Sequence, residues 1–463
     1  MRTNRWYLGI AAVLLLALGT VACGGDDGDD AGGSEESGAE YATIRVPEDH
    51  ETIQEAVDAA SPGDLVLISP GVYHEAVEVT VENLTIRGTD RNEVILDGEF
   101  ELENGIRALK VDGVAVENLT TRNYTHNGVF WNGVDGYRGS YLTAYRNGDY
   151  GIYAFDSVNG QIDNSYASGS PDAGFYIGQC YPCNAVIDNV VSEYNGLGYS
   201  GTNSGGELYI VNSTFRYNRA GIVPNSGSYE LCYPERETTI VGNLVHSNNQ
   251  ADTPAIDVAL LAMGNGILVA GGVNNEIERN RIWDHERTGI GLVPFPEEED
   301  ASDVPPPPED DRRPCSEARE DELPDPETIP SLVLWDPRGN VVRDNVIEGS
   351  GLADLAVGTL GEDPAALANC FAGNTLTSTA PTDLEQLAPC DGEGSGDWSA
   401  GALDLVSLIA SERPPAGDYK TQPVPEDQPN MPDATTAPPR PATDVPPRVD
   451  LDAITVPEKP EDA

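Results

Sequence analysis

Apolar residues recur along most of this chain in short alternating bursts, each followed by a polar corner. A glycine and an apolar residue open one burst per period: Gly105-Ile106, Gly128-Val129, Gly151-Ile152, Gly174-Phe175, Gly198-Tyr199 and Gly221-Ile222. The steps are 23, 23, 23, 24 and 23 residues, and the pattern resumes at Gly266-Ile267 and Gly289-Ile290, again 23 apart. Between these glycines lies a second, β-branched burst interrupted by asparagine, at Asn118, Asn164, Asn189, Asn212, Asn243, Asn280 and Asn345. Short strands at a period of about 23 residues predict an all-β solenoid, a parallel β-helix of about ten coils from Ile106 to Thr375.

One coil cannot bury its own inner face, but stacked coils bury a continuous core. Asparagine at a fixed corner can bond amide to amide with the asparagine one coil away. Glycine is expected to supply a positive φ at another corner. After each corner glycine the first residue should point inward (Val129, Ile152, Phe175, Ile222) and the next outward (Phe130, Tyr153, Tyr176).

The ends and interruptions differ in composition. Thr52 to Ala60 reads as an amphipathic helix that covers the open strand edges of the first coil. Residues 225–262 and the acidic, Pro-rich stretch 294–331 interrupt the solenoid, and the second is expected to be mobile. Beyond Cys390 the chain turns Pro/Asp/Ala-rich and is expected to be mostly disordered, with a short helix within Gly401–Ser411. The organisation is then a signal segment (1–22), an acidic tether (23–40), a β-helix domain (41–390, with its cap at 41–100) and a tail (391–463).

The first residues carry two arginines, followed by an apolar run, small residues and Cys23. This order resembles a bacterial lipoprotein signal. The resemblance implies export, lipidation of Cys23 and attachment to the outer face of the cell membrane. The formal net charge of −52 argues against binding nucleic acid. Seven cysteines leave six if Cys23 is lipidated, an even number in an oxidising compartment, so disulfides are expected. Cys370 and Cys390 pair by proximity. Cys180, Cys183, Cys232 and Cys315 make two bridges whose partners the sequence leaves open. No metal site is assigned, and a bound calcium ion stays open.

The stretches "TIQEAVDAA", "GDLVLISPGVYHEAVEV" and "LTIRG", with the coils, resemble the pectin-lyase-like right-handed β-helix superfamily. The likeness is strongest to its pectin-methylesterase and NosD-like members. The later stretch "GFYIGQCYPCNAVIDNVVSEYNGLGYSGTNSGG" is similar to a group of actinobacterial β-helix repeat proteins. The superfamily implies the right-handed fold. It holds lyases, hydrolases, esterases, epimerases and pure binders, so it leaves the activity open. The catalytic stretches of pectin methylesterases are absent here.

Outward aromatics one coil apart, beside amides, suit a sugar chain: rings stack on a pyranose face and amides bond its hydroxyls. The candidate carbohydrate-binding residues are Phe130, Tyr153, Tyr176, Asn132, Gln179, Asn203 and Asn225. Asp156, Asp172, His126 and Arg219 are the weaker catalytic candidates, near the same corner of successive coils. The expected function is recognition of a polysaccharide or cell-wall glycan by a monomeric surface protein, with modification of that glycan left open. A structural or adhesive surface protein, or a NosD-like accessory to a membrane-bound metalloenzyme, are the alternatives.

Overall fold

In a computed structural model that describes residues 41–298, 301–322, 324–439, 446 and 448–460, the chain winds as the expected right-handed parallel β-helix. The signal segment, the tether and Cys23 lie outside the described residues. Each coil adds one short strand in turn to three parallel sheets, of 12, 10 and 11 strands. On the 11-stranded sheet the inner residues Ile152, Phe175, Tyr199, Ile222, Ile267 and Ile290 pair in register and are fully buried. Each such side chain contributes about 1.5–3 kcal/mol relative to remaining in water. The predicted inward and outward sets are the observed ones, because a strand has a period of two and the corner glycine starts its count.

The asparagine corner divides into two adjacent positions. Asn118, Asn164, Asn189 and Asn212 take left-handed backbone, with φ of 54°, 48°, 54° and 49°. Asn243, Asn280 and Asn345 stand one position further on and face inward. There Asn243 Nδ2 donates to Asn280 Oδ1, Asn280 to Asn345, and Asn345 to Asn374, each at 3.0 Å. This inner ladder also donates to strand carbonyls of the coil below, such as Ile240 O at 2.9 Å. It satisfies turn groups that burial would otherwise leave unpaired.

The periodic glycines act differently from expectation. None of them has a positive φ; they are required by close approach. A Cβ on Gly128 or Gly151 would lie 2.6 Å from the carbonyl oxygen of the next glycine up the stack. Stacked coils bring these corners too close for any side chain.

At the N-terminal end the helix Ile53–Ala59 buries Ile53, Ala56 and Val57, and the Thr52 hydroxyl accepts from Glu55 N at 3.1 Å. The acidic excursion has more structure than its composition implied. A two-stranded antiparallel ribbon, Phe295–Glu298 with Leu332–Trp335, frames it. A disulfide from Cys315 to Cys232 and an Arg338–Asp311 pair at 3.0 Å tie it down.

Composition also pointed to disorder after Cys390, yet the described part of the tail lies along the solenoid. The expected short helix forms at Leu405–Ile409. Beyond it, arginines of the coils donate to tail carbonyls: Arg219 to Pro414 and Pro415, Arg91 to Pro429, Arg87 to Ala437 and Pro438, at 2.7–3.1 Å. Proline lacks an N–H but keeps its carbonyl, so a Pro-rich strap offers acceptors without needing partners for its own donors. The charges buried beneath it are paired or bonded: Arg87 meets Glu117 at 2.7 Å, both fully buried.

Candidate functional site

The outer face of the 11-stranded sheet carries the predicted ladder. Phe130 pairs in register with Tyr153, and Tyr153 with Tyr176. Phe130 and Tyr153 stack with ring centroids 4.7 Å apart and planes at 13°. Tyr150, from the start of the same strand as Tyr153, stacks on Tyr153 at 4.2 Å. Tyr176 meets Tyr153 edge-on at 4.8 Å. Phe130, Tyr150 and Tyr153 are partly exposed, so an aromatic shelf faces outward at these two coils.

Tyr176 departs from the expected open surface: it is 1 % exposed. The loop after Asn225 folds back over it and places Glu230 on its hydroxyl, which lies 2.7 and 2.6 Å from the two carboxylate oxygens. Three of the predicted glycan-binding amides are spent on this loop. Asn203 donates to Gly227 O and Glu230 O and accepts from Gly227 N. Gln179 accepts from Leu231 N at 2.9 Å, and Asn225 donates to the Tyr229 hydroxyl at 2.6 Å. All three are buried, so they position the loop rather than line an open groove. Asn132 stays partly exposed beside the shelf.

Two carboxyl groups flank the shelf. Tyr150 donates its hydroxyl to Asp172. Burial pushes Asp172 up to about 7, against the lowering effect of that hydrogen bond, and nearby Asp149 adds to the rise. Burial likewise pushes Glu230 up to about 8, with Asp172 raising it further. The pair therefore holds protons near neutral pH that ordinary carboxylates would have lost. Of these two, sequence reasoning found Asp172 and missed Glu230. The only signal for Glu230 was its place beside Cys232 in a loop that leaves the ladder strand.

The other candidates are engaged differently. Asp156 is taken up by an ion pair with Arg319 of the acidic excursion. His126 is exposed, with its ring Nδ1 3.2 Å from the Thr125 hydroxyl. Arg219 is fully buried and donates to Ala251 O, Thr253 O and the tail, so it clasps loops instead of facing a substrate. Disulfides join Cys180 to Cys183, Cys232 to Cys315 and Cys370 to Cys390. The first two links are the ones that sequence left open. Among the described residues no group of three or more His, Cys, Asp or Glu is placed to hold a metal ion.

A second aromatic stack, unforeseen from sequence, lies on the 10-stranded sheet. His246 stacks on Trp283 at 4.1 Å, and Lys459 of the tail lies over the Trp283 ring.

A family model described as "Right handed beta helix region" matches residues 70–231. Among solved structures, the A-module of the Azotobacter vinelandii mannuronan C-5 epimerase AlgE4 is 15% identical with a TM-score of 0.42, over 74% of this chain and 95% of that one. An alginate lyase from a Paenibacillus species is 13% identical with a TM-score of 0.36, over 74% and 96%. The periplasmic alginate epimerase AlgG is 12% identical with a TM-score of 0.38, over 73% and 83%. A comparison with curated proteins returns no match.

Proposed function

We propose that this right-handed β-helix protein binds a polysaccharide on the outer face of its 11-stranded sheet, with sugar rings laid on Phe130 and Tyr153. The observation that carries this reading is the outward shelf of Phe130, Tyr153 and Tyr150, stacked at 4.7 and 4.2 Å. Aromatic faces held rigid by a solenoid lose little entropy when a pyranose packs on them. Asn132 lies beside the shelf and offers an amide to hydroxyl groups. If the bound glycan is also modified, Glu230, raised to about 8 and protonated at neutral pH, is the acid, and Asp172, raised to about 7 and half ionised there, is the base.

The test is a glycan array read with the full chain, spanning neutral and uronate polymers, repeated with a Phe130→Ala/Tyr153→Ala variant. Binding lost in the variant is the expected result. An empty array, or binding that survives both substitutions, would sink the proposal and leave the structural or adhesive reading. The basic-apolar-Cys23 order supports export and lipid attachment at the membrane surface. A Cys23→Ala protein that incorporates labelled palmitate as the parent does would overturn that placement.

A further inference from the structure

Further along the same outer face lies a second concavity of different chemistry. Leu268 forms part of its floor. The helix Asp257–Ala262 supplies Val258 and Leu261 as one wall. The helix Leu405–Ile409 supplies Leu405 and Leu408, and Phe295 of the ribbon also lines the cleft. Asp and Glu make up 78 of 463 residues, yet among the described residues none lines this cleft. Among the described residues its only charged lining group is Arg287.

Arg287 is unusually free for an arginine in so acidic a chain. Two of its five N–H donors are used, by Leu261 O at 3.2 Å and the Ser411 hydroxyl at 3.1 Å. Arg413 is near enough for its charge to act on Arg287. Arg413 donates to Leu408 O and Ile409 O, while its Nε is buried without a partner. Among the described residues neither arginine is in an ion pair, although Glu286 lies close enough to act on Arg287. Burial, and then the Arg413 charge, push the Arg287 guanidinium below its usual value. An anion brought to this spot relieves that repulsion and meets open donors.

The geometry points to a binding site for a single-chain amphiphile with an anionic head: the carboxylate of a fatty-acid-like ligand on Arg287, and its alkyl chain on Leu268 between the two short helices. The chain would bury apolar surface, and the head would add a charge-assisted bidentate pair. This site does not depend on the glycan reading.

Calorimetry on the full chain tests it with decanoate and decyltrimethylammonium, each below its micelle concentration. Decanoate should bind saturably, at least roughly tenfold tighter than the cation, the size of one charge-assisted interaction. Arg287→Gln should erase that preference, and Leu408→Asp should abolish decanoate binding. If Arg287→Gln lacks the parent's thermal transition, Arg413→Gln carries the head-group arm, with the preference expected to shrink. Equal binding of the two amphiphiles, no saturable decanoate binding, or a preference intact in the arginine variant that folds would overturn the assignment.

Discussion

The Tyr176 hydroxyl sits 2.7 and 2.6 Å from the two carboxylate oxygens of Glu230, joining a ladder strand to a loop 54 residues further along the chain. This contact closes one end of the aromatic shelf and partly buries a carboxyl group against it. It makes the loop part of the site. Tyr176→Phe leaves the partly buried Glu230 without its hydroxyl donor and is expected to cost about 1–3 kcal/mol in urea unfolding. Above pH 8, where Glu230 is ionised, adding Glu230→Gln should recover part of that loss, because a neutral amide tolerates burial better than a carboxylate. Identical midpoints for Tyr176→Phe and the parent would show that the contact contributes nothing.

The buried acids set a pH dependence of stability. Glu230 and Glu235 rise from 4.5 to about 8, and Asp172 from 3.8 to about 7, burial being the largest cause for each. A raised acid binds its proton more tightly folded than unfolded, so its contribution is lost as pH rises through the folded value. His246 and His285 work in the opposite sense, lowered by burial from 6.5 to about 4 and about 3, and their effect is half complete at pH 6.5 and fades about a unit above it. Between pH 6.5 and 8 the three acids outweigh the two histidines, and the urea midpoint is expected to fall. Glu235→Gln should flatten that slope. A midpoint that rises across this window contradicts the reading.

On the shelf itself, Phe130→Ala and Tyr153→Ala should each weaken glycan binding by about 1 kcal/mol, or roughly 30-fold together. Asp156→Asn should have no comparable effect, since that carboxylate is paired with Arg319. Equilibrium titration with the best glycan from the array reads both. An effect confined to Asp156→Asn would move the site to the acidic excursion.

The two kinds of corner asparagine should separate in thermal unfolding. Asn280→Ala removes bonds to Ile240 O and Asn345 and strands Asn243, all of them buried, and should cost about 3 kcal/mol or more. Asn189→Gly, at a left-handed φ of 54° on the outside, should change stability by only a few tenths. Equal losses would deny the distinction.

The tail should behave as part of the fold. A chain ending at Ser411 loses the carbonyls of Pro414, Pro415, Pro429 and Ala437 that Arg219, Arg91 and Arg87 now use. Each lost acceptor to a charged donor costs about 1.5–3 kcal/mol before water replaces it, so a clearly lower melting temperature is expected. A truncated chain that melts with the parent would show the strap to be dispensable.

The 23-residue step and the period-two alternation were enough to place Phe130, Tyr153 and Tyr176 on one outward line, because backbone pairing between coils converts sequence spacing into spatial register. The same spacing could not separate the outer Asn189 from the inner Asn280, which differ by one position at the corner. It also assigned the periodic glycines to a backbone conformation when crowding between coils is what requires them.

By itself, then, the sequence determined the solenoid, its coil register and the aromatic line, all of which follow from local periodicity. Tertiary structure alone decided that Tyr176 is covered, that Glu230 joins Asp172 at the shelf, that Arg219 turns to the tail, and that Cys232 reaches Cys315. Each of these is a contact made by a loop or strap that leaves the repeat. Where such a segment lands depends on which buried donors, acceptors and charges it can satisfy, and no local pattern encodes that.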